Sequence, residues 1–254
     1  MKVCIDSLEN AHIFTLIFQH IKSFSDFTNI IMKKEHLYIQ AMDNSKISVF
    51  EVKLLPGFFS TYDFDQTENV GINVNLFYKI LNVRDKNQKI ELETETDDKL
   101  NIYYTSADVS IMNKSLQIPL VELDEELFSI PEMEYNVSLT VDSGKFADII
   151  NNLKLFDDTI NIDCQEDKVV MGSDSQDQGK INITLTNENM KDYTITDDVA
   201  VSYTLKMLGY ITIYNKVTDE VNIQITEGVP LKLLFKIDHL GSELVLHLAP
   251  KIND

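Results

Sequence analysis

Leu120 to Tyr135 reads LVELDEELFSIPEMEY, close to the middle of a chain of 254 residues. It contains no glycine. Acidic residues crowd its first half, at Glu122, Asp124, Glu125 and Glu126, and Phe128, Ile130 and Met133 then interrupt the acidity. A uniformly acidic run is a solvated linker. Apolar side chains on such a run need a surface to lie against, since otherwise they stand exposed to water. The segment therefore predicts an ordered strap between two halves of the chain, with a hydrophobic patch beside it.

On either side of the strap the hydrophobic pattern is similar. Before it, a short alternating strand at Met1–Asp6 precedes a helix with Ile13, Phe14, Ile17, Phe18 and Ile21 on one face. Strands are predicted at Asn29–Met32, Leu37–Met42 and Ile47–Lys53, with a turn at Asp43-Asn44-Ser45. A helix follows at Asn75–Val83. Lys89–Glu95 and Lys99–Thr105 form a hairpin around Asp97-Asp98, and Ala107–Ile118 reads as a further strand. After the strap, Asn136–Val141 is a strand and Asp142-Ser143 caps a helix carrying Phe146, Ile149, Ile150 and Leu153. Asp158–Cys164, Val169–Ser173 and Lys180–Thr186 alternate as strands. Tyr203–Ile211 is the fourth helix, and Val221–Ile225, Leu231–Ile237 and Glu243–Leu248 close the chain. Helix, strands, helix, strands in each half predicts an α+β protein of two similar domains, with helices on one face of antiparallel sheets. The boundaries are 1–119, a strap at 120–135, and 136–254.

A hydrophobic content of 44% with 25% charged residues is globular. The formal charge of −19 argues against broad adhesion to nucleic acid or anionic membrane. MKVCIDSLEN at the N-terminus lacks the apolar core of a signal peptide, and no apolar run is long enough to span a bilayer. Cys4 and Cys164 do not make a disulfide framework, which fits a reducing compartment.

Reactive constellations are missing. Gly179-Lys180 has no glycine-rich approach, so a phosphate loop is not expected. The histidines are scattered and the cysteines far apart, which leaves no zinc pattern. Asp174 to Gly179 has the wrong ligand spacing for a calcium loop. The pairs Asp63/Asp65 and Asp157/Asp158 suit a metal-dependent nuclease in principle, but acidic turns explain them better. The sequence predicts a protein without enzymatic activity, cofactor or metal.

Three segments resemble the eukaryotic-type sliding clamps, the proliferating cell nuclear antigen family. They are QAMDNSKIS from Gln40, the strap from Leu123-Asp124 through Ile130-Pro131 to Tyr135, and the tail LAPKIND from Leu248 to Asp254. GINVNLFYKIL, Gly71 to Leu81, and DSGKFADIINNL, Asp142 to Leu153, are similar to the family's helices. The resemblance implies two clamp domains per chain and three chains closing head to tail around duplex DNA. It implies a homotrimer that acts as a processivity factor. Its expected partners are double-stranded DNA, a DNA polymerase, a clamp loader, a nuclease and a ligase.

The resemblance also implies sites. Helices line the hole, offering Lys22, Lys79, Lys145, Lys154 and Lys206, with Arg84, Lys86 and Lys216 near helix ends. Partner peptides enter a pocket built from Met42, Lys46, Leu127, Phe128, Ile130, Pro230, His247, Ala249 and Pro250. The subunit contact joins a strand bearing Asn113, Leu116 and Ile118 to one bearing Lys180, Ile181, Ile183 and Leu185 of the next chain, with Pro119 just beyond the first. His247 replaces a tyrosine and makes the pocket weakly pH-sensitive. Gln165-Glu166-Asp167 lacks the family's modifiable lysine, which argues against a ubiquitin-type switch there. The expected location is nuclear, or a cytoplasmic replication site if the source is viral. The rival reading is a clamp-like transcription or checkpoint adaptor that does not encircle DNA.

Overall fold

Ser7 opens the first helix because its side-chain oxygen accepts the Asn10 N–H at 3.2 Å, satisfying a donor the helix leaves free. Asn73 does the same for Leu76 at 2.9 Å, and Asp142 for Lys145 at 2.9 Å. The computed structural model describes residues 1–251 apart from 65, 97, 125–126 and 238–239, with the backbone alone at 95 and 96. Asp65, Asp97, Glu125, Glu126 and the tail residues Ile252 to Asp254, all used above, lie outside the described residues.

The first half of the chain runs β1 (Lys2–Ile5), α1 (Leu8–Ile21), β2 (Phe27–Lys33), β3 (His36–Met42), β4 (Ser48–Leu54), β5 (Thr61–Asp63), β6 (Glu68–Asn73), α2 (Val74–Leu81), β7 (Lys89–Thr96), β8 (Lys99–Thr105) and β9 (Lys114–Pro119). The second half repeats that order: β10 (Val137–Asp142), α3 (Ser143–Leu153), β11 (Thr159–Gln165), β12 (Lys168–Ser175), β13 (Gly179–Thr186), β14 (Asp192–Ile195), β15 (Val199–Thr204), α4 (Leu205–Ile211), β16 (Glu220–Ile225), β17 (Leu231–Lys236) and β18 (Glu243–Leu248). The repeat is therefore element for element, with β4 answering to β13 and β9 to β18.

The chain divides into two compact units. One comprises Met1–Asn44, Glu51–Phe128 and Asp238–Glu243; the other comprises Ser45–Phe50, Ser129–Ile237 and Leu244–Asp254. In the first, strands are ordered β5-β1-β7-β8-β9 and β4-β3-β2-β6. Phe14, Phe18 and Phe77 pack edge to face between α1 and α2, with the Phe18 and Phe77 centroids 4.7 Å apart. In the second, the orders are β14-β10-β16-β17-β18 and β13-β12-β11-β15. There the buried Tyr214 ring lies 5.6 Å from Phe235 and stacks on Phe50 at 6.1 Å. Ser45–Phe50, which opens β4, belongs to this second unit and runs beside β18; the Ala249 N–H donates to the Ile47 carbonyl at 2.8 Å.

Four differences from the sequence reading have local causes. The strand expected at Ala107–Ile118 begins only at Lys114. Asp108 accepts the Ser110 N–H at 2.8 Å and Asn113 the Ser106 N–H at 3.2 Å, and these side-chain turns take the backbone out of the ladder. Pro119 is the last residue of β9, opposite Lys99, rather than beyond it, which an edge strand tolerates. Gly71 to Asn73 belong to β6, so that helix starts at Val74, and Tyr203 and Thr204 belong to β15, so α4 starts at Leu205. β5, β6, β14 and β15 lie outside the predicted strands: β5 and β14 are too short to give a periodic signal, and β6 and β15 run directly into the helices that follow them.

His20, on the core side of α1, is 1% exposed, and burial pushes its pKa down to about 3. The unfolded chain binds this proton from about pH 6.5 downward and the folded chain does not, so acidification favours unfolding. The stability from neutral His20 is complete above about pH 6.5 and is lost as the pH falls toward 3. Between pH 6.5 and 5 the loss approaches about 2 kcal/mol. Urea unfolding at both pH values should show a smaller loss for His20→Gln; equal losses would refute this.

Candidate functional site: the strap and its cleft

Leu120 to Tyr135 is extended and forms neither helix nor ladder strand among the described residues. Its first part is held on the first unit by successive contacts. The Leu120 N–H donates to the Asp98 carbonyl at 2.9 Å, and the Val121 N–H to the Gly71 carbonyl at 2.9 Å. Asn29 donates its side-chain amide to the Leu123 carbonyl at 3.3 Å. Gln40 then grips Phe128 twice: Oε1 accepts the Phe128 N–H at 2.7 Å, and Nε2 donates to the Phe128 carbonyl at 2.9 Å. A side-chain amide thereby does for Phe128 what a neighbouring strand would do. Behind it Nε2 also donates to the Tyr38 hydroxyl at 3.1 Å, and that hydroxyl donates to Glu51.

These contacts explain the sequence pattern of the strap. Val121 and Leu123 are half-buried while Glu122 and Asp124 are exposed, the alternation of an extended chain lying on a surface. Gly71 permits that approach, because a Cβ built there would stand 2.0 Å from the Val121 carbonyl oxygen.

Beside the strap is a cleft of about 260 Å³ lined by Ser25, Phe27, Asn29, Gln40, Ala41, Met42, Leu127 and Phe128. Of the peptide-pocket residues expected from sequence, Met42, Leu127 and Phe128 come together here. Lys46, Ile130, Pro230, His247, Ala249 and Pro250 belong to the second unit. There Ile130, Pro230, Ala249 and Pro250 are half-buried, His247 is buried, and Lys46 is exposed with a left-handed φ of 57°. The chain end is fixed in that unit by the Lys251 N–H to the Ser202 carbonyl at 2.8 Å and the Lys251 ammonium to Thr159 Oγ1 at 2.7 Å. Phe27, Asn29 and Gln40 were missed as site residues. Their signal is alternation: Phe27 and Asn29 share one face of β2, and Gln40 and Met42 one face of β3.

The basic candidates sit on and around the helices. Lys22 caps the C-terminus of α1 with its ammonium 5.3 Å from the Tyr78 ring centroid, and Lys154 caps α3. Gly209 leaves room for Lys154 across α4, since an added Cβ would meet that ammonium at 2.6 Å. Lys79 is in the last turn of α2, Lys145 in the first turn of α3, Lys206 in the first turn of α4, and Lys216 ends the short 3-10 turn after it. All of these, and Lys86, are exposed, and among the described residues none is ion-paired, although the chain carries 41 acidic residues. Arg84 differs. Its Nη1 donates to the carbonyls of Asp85, Lys86 and Gln88, at 3.0, 3.3 and 2.7 Å, and half-burial lowers its pKa. Its guanidinium holds the 85–88 loop together.

The expected contact strands are sheet edges. β9 pairs only with β8 and β13 only with β12 among the described residues, so each carries an open row of backbone donors and acceptors. Leu116 on β9, and Ile181 and Ile183 on β13, are half-buried; Ile118 and Leu185 are buried. Asn113 precedes β9 and serves the turn before it. Lys180 pairs with Asp174 at 3.7 Å on the exposed hairpin. As for the acidic pairs, Asp157 accepts from Thr159, which holds its carboxyl below the usual range and fits a turn.

Comparison with known proteins covers nearly the whole chain. Residues 5–127 match the family model "Proliferating cell nuclear antigen, N-terminal domain", and residues 129–251 match its C-terminal counterpart. The chain is 26% identical to the proliferating cell nuclear antigen of Caenorhabditis elegans, over 97% of this chain and 96% of the relative. It is 24% identical to the DNA polymerase sliding clamp of Thermococcus onnurineus, over 95% and 99%. The fold is similar to the crystal structure of PCNA from Thermococcus kodakaraensis, with a TM-score of 0.88, 20% identity and coverage of 98% and 99%.

Proposed function

Because this chain belongs to the proliferating cell nuclear antigen family, the DNA sliding clamps, we propose that three copies close head to tail into a ring around duplex DNA and tether a polymerase to it. The observation that carries this is the internal repeat. β18 has β4 for a neighbour. Their counterparts in the other half, β9 and β13, each end a sheet among the described residues. Pairing β9 of one copy with β13 of the next repeats that arrangement between chains, in a heterologous contact that can close.

In a ring, retention on DNA is topological, so three chains of charge −19 need no strong attraction to phosphate. Lys22, Lys79, Lys86, Lys145, Lys154, Lys206 and Lys216 supply a mild positive lining, with Arg84 adding charge from its loop. The strap and its cleft take short peptides from a polymerase, a clamp loader, a nuclease and a ligase. The protein itself catalyses nothing, and it works in the nucleus. No helix among the described residues is long and apolar enough to cross a membrane.

Light scattering over a dilution series tests the assembly. A mass near three times 29.1 kDa is expected. A mass that stays at one chain at the highest concentration would rule out the closed homotrimer.

A further inference from the structure

We propose that Phe27, with Leu127, forms a second apolar subsite in the strap cleft, which takes a bulky apolar side chain from a peptide whose flank is rich in lysine or arginine. This rests on reading the strap as a peptide groove.

Phe27 is the first residue of β2 and is 40% exposed, with Leu127 at 46% and Phe128 at 52%. Large apolar side chains standing singly on a surface are ordinary; three around one cleft are a contact site. The exposure of Phe27 does not come from a loose chain end. Ser25 Oγ accepts the Phe27 N–H at 3.3 Å and donates to the Phe27 carbonyl at 2.7 Å. The preceding Asp26 carbonyl takes the Val74 N–H at 2.9 Å, and its carboxylate takes the Asn75 amide at 2.7 Å. On the opposite wall Gln40 fixes Phe128. The cleft is preformed, so a partner loses little free energy in ordering it. At about 260 Å³ it suits peptide side chains rather than a whole cofactor.

Charge selects the occupant. LVELDEELFSIPEMEY contains no basic residue, and Glu122 and Asp124 are exposed without ion pairs among the described residues. A neutral or acidic segment laid along this strap would meet uncompensated carboxylates, whereas a basic flank would neutralise them.

A display library of random 16-residue peptides, selected on the intact protein, supplies the probe. Affinities are then measured by fluorescence anisotropy for wild type, Phe27→Ala and Phe128→Ala. Selected peptides should carry lysine or arginine beside two apolar positions. Phe27→Ala should weaken binding about tenfold or more. Replacing one apolar peptide position by alanine should weaken binding to wild type and leave binding to Phe27→Ala unchanged, because the two share one contact. Equal affinities for wild type and Phe27→Ala, with Phe128→Ala still damaging, would overturn the subsite and leave the groove. Indifference to both variants would overturn the groove reading as well. A fall in solution mass on Phe27→Ala would assign the surface to contact between copies and overturn the proposal. Since Phe27 is exposed, its melting temperature should hold within a few degrees of wild type; Phe27→Leu, which keeps an apolar side chain, should recover most of the affinity.

Discussion

Ile183→Asp is expected to turn the protein into a folded monomer. Ile183 lies on the open edge strand β13, half-buried, in a row with Ile181 and Leu185. In the proposed ring that row meets the β9 edge, where Leu116 and Ile118 are the apolar residues. A carboxylate in this apolar row is taken out of water, which costs several kcal/mol at each of three contacts. Ring closure multiplies the damage, because every copy carries the change. The fold should survive, since the side chain is only half-buried in the single chain. The mass should fall from about three times 29.1 kDa to 29.1 kDa, and the protein should no longer be held on circular DNA. Thr184→Asp, on the exposed face of the same strand, is the control and should alter the mass far less. If Ile183→Asp leaves the mass unchanged, β13 is not the contact strand.

Gly71→Val should release the front of the strap. A Cβ at this position would stand 2.0 Å from the Val121 carbonyl oxygen, 3.1 Å from its carbon and 3.2 Å from Asn29 Oδ1. The nearest of these is backbone and cannot rotate away, so the strap itself must lift. Lifting it breaks the Val121–Gly71 hydrogen bond and strains the Asn29–Leu123 contact. The stability loss is about 1–3 kcal/mol. Recognition suffers more, because the strap leading into Leu127 and Phe128 loses its anchor and only the Gln40 contacts still hold Phe128. A glutamate-specific protease should cut at Glu122 much faster in the variant, and the selected peptides should bind at least a hundredfold more weakly. An unchanged digestion pattern would show that the strap does not depend on this contact.

Much of the fold is legible in the sequence because it is local. Side-chain caps at Ser7, Asn73 and Asp142 and helical spacing of apolar residues depend on neighbours within a turn or two. The same holds for the strands flanking Asp43-Asn44-Ser45. The misplaced Ala107–Ile118 strand is instructive. Its composition suits a strand, yet Asp108 and Asn113 offer the backbone closer partners than the ladder does. Arg84 is a related case: only the fold shows the three carbonyl oxygens around its guanidinium, which fix it to its loop.

By itself, then, the sequence determined the repeat of helix and strands, the acidic strap with apolar anchors, and a resemblance strong enough to name the family. Only the tertiary structure decided what holds the strap and what stands open beside it. Gln40 reaches Phe128 across 88 positions and Asn29 reaches Leu123 across 94. Gly71 matters because another backbone crosses it, and Phe27 because the strap leaves its ring uncovered. Such contacts depend on which strands pair and in what register, and a one-residue slip would send each of these side chains to the other face. Composition and periodicity carry no record of that choice.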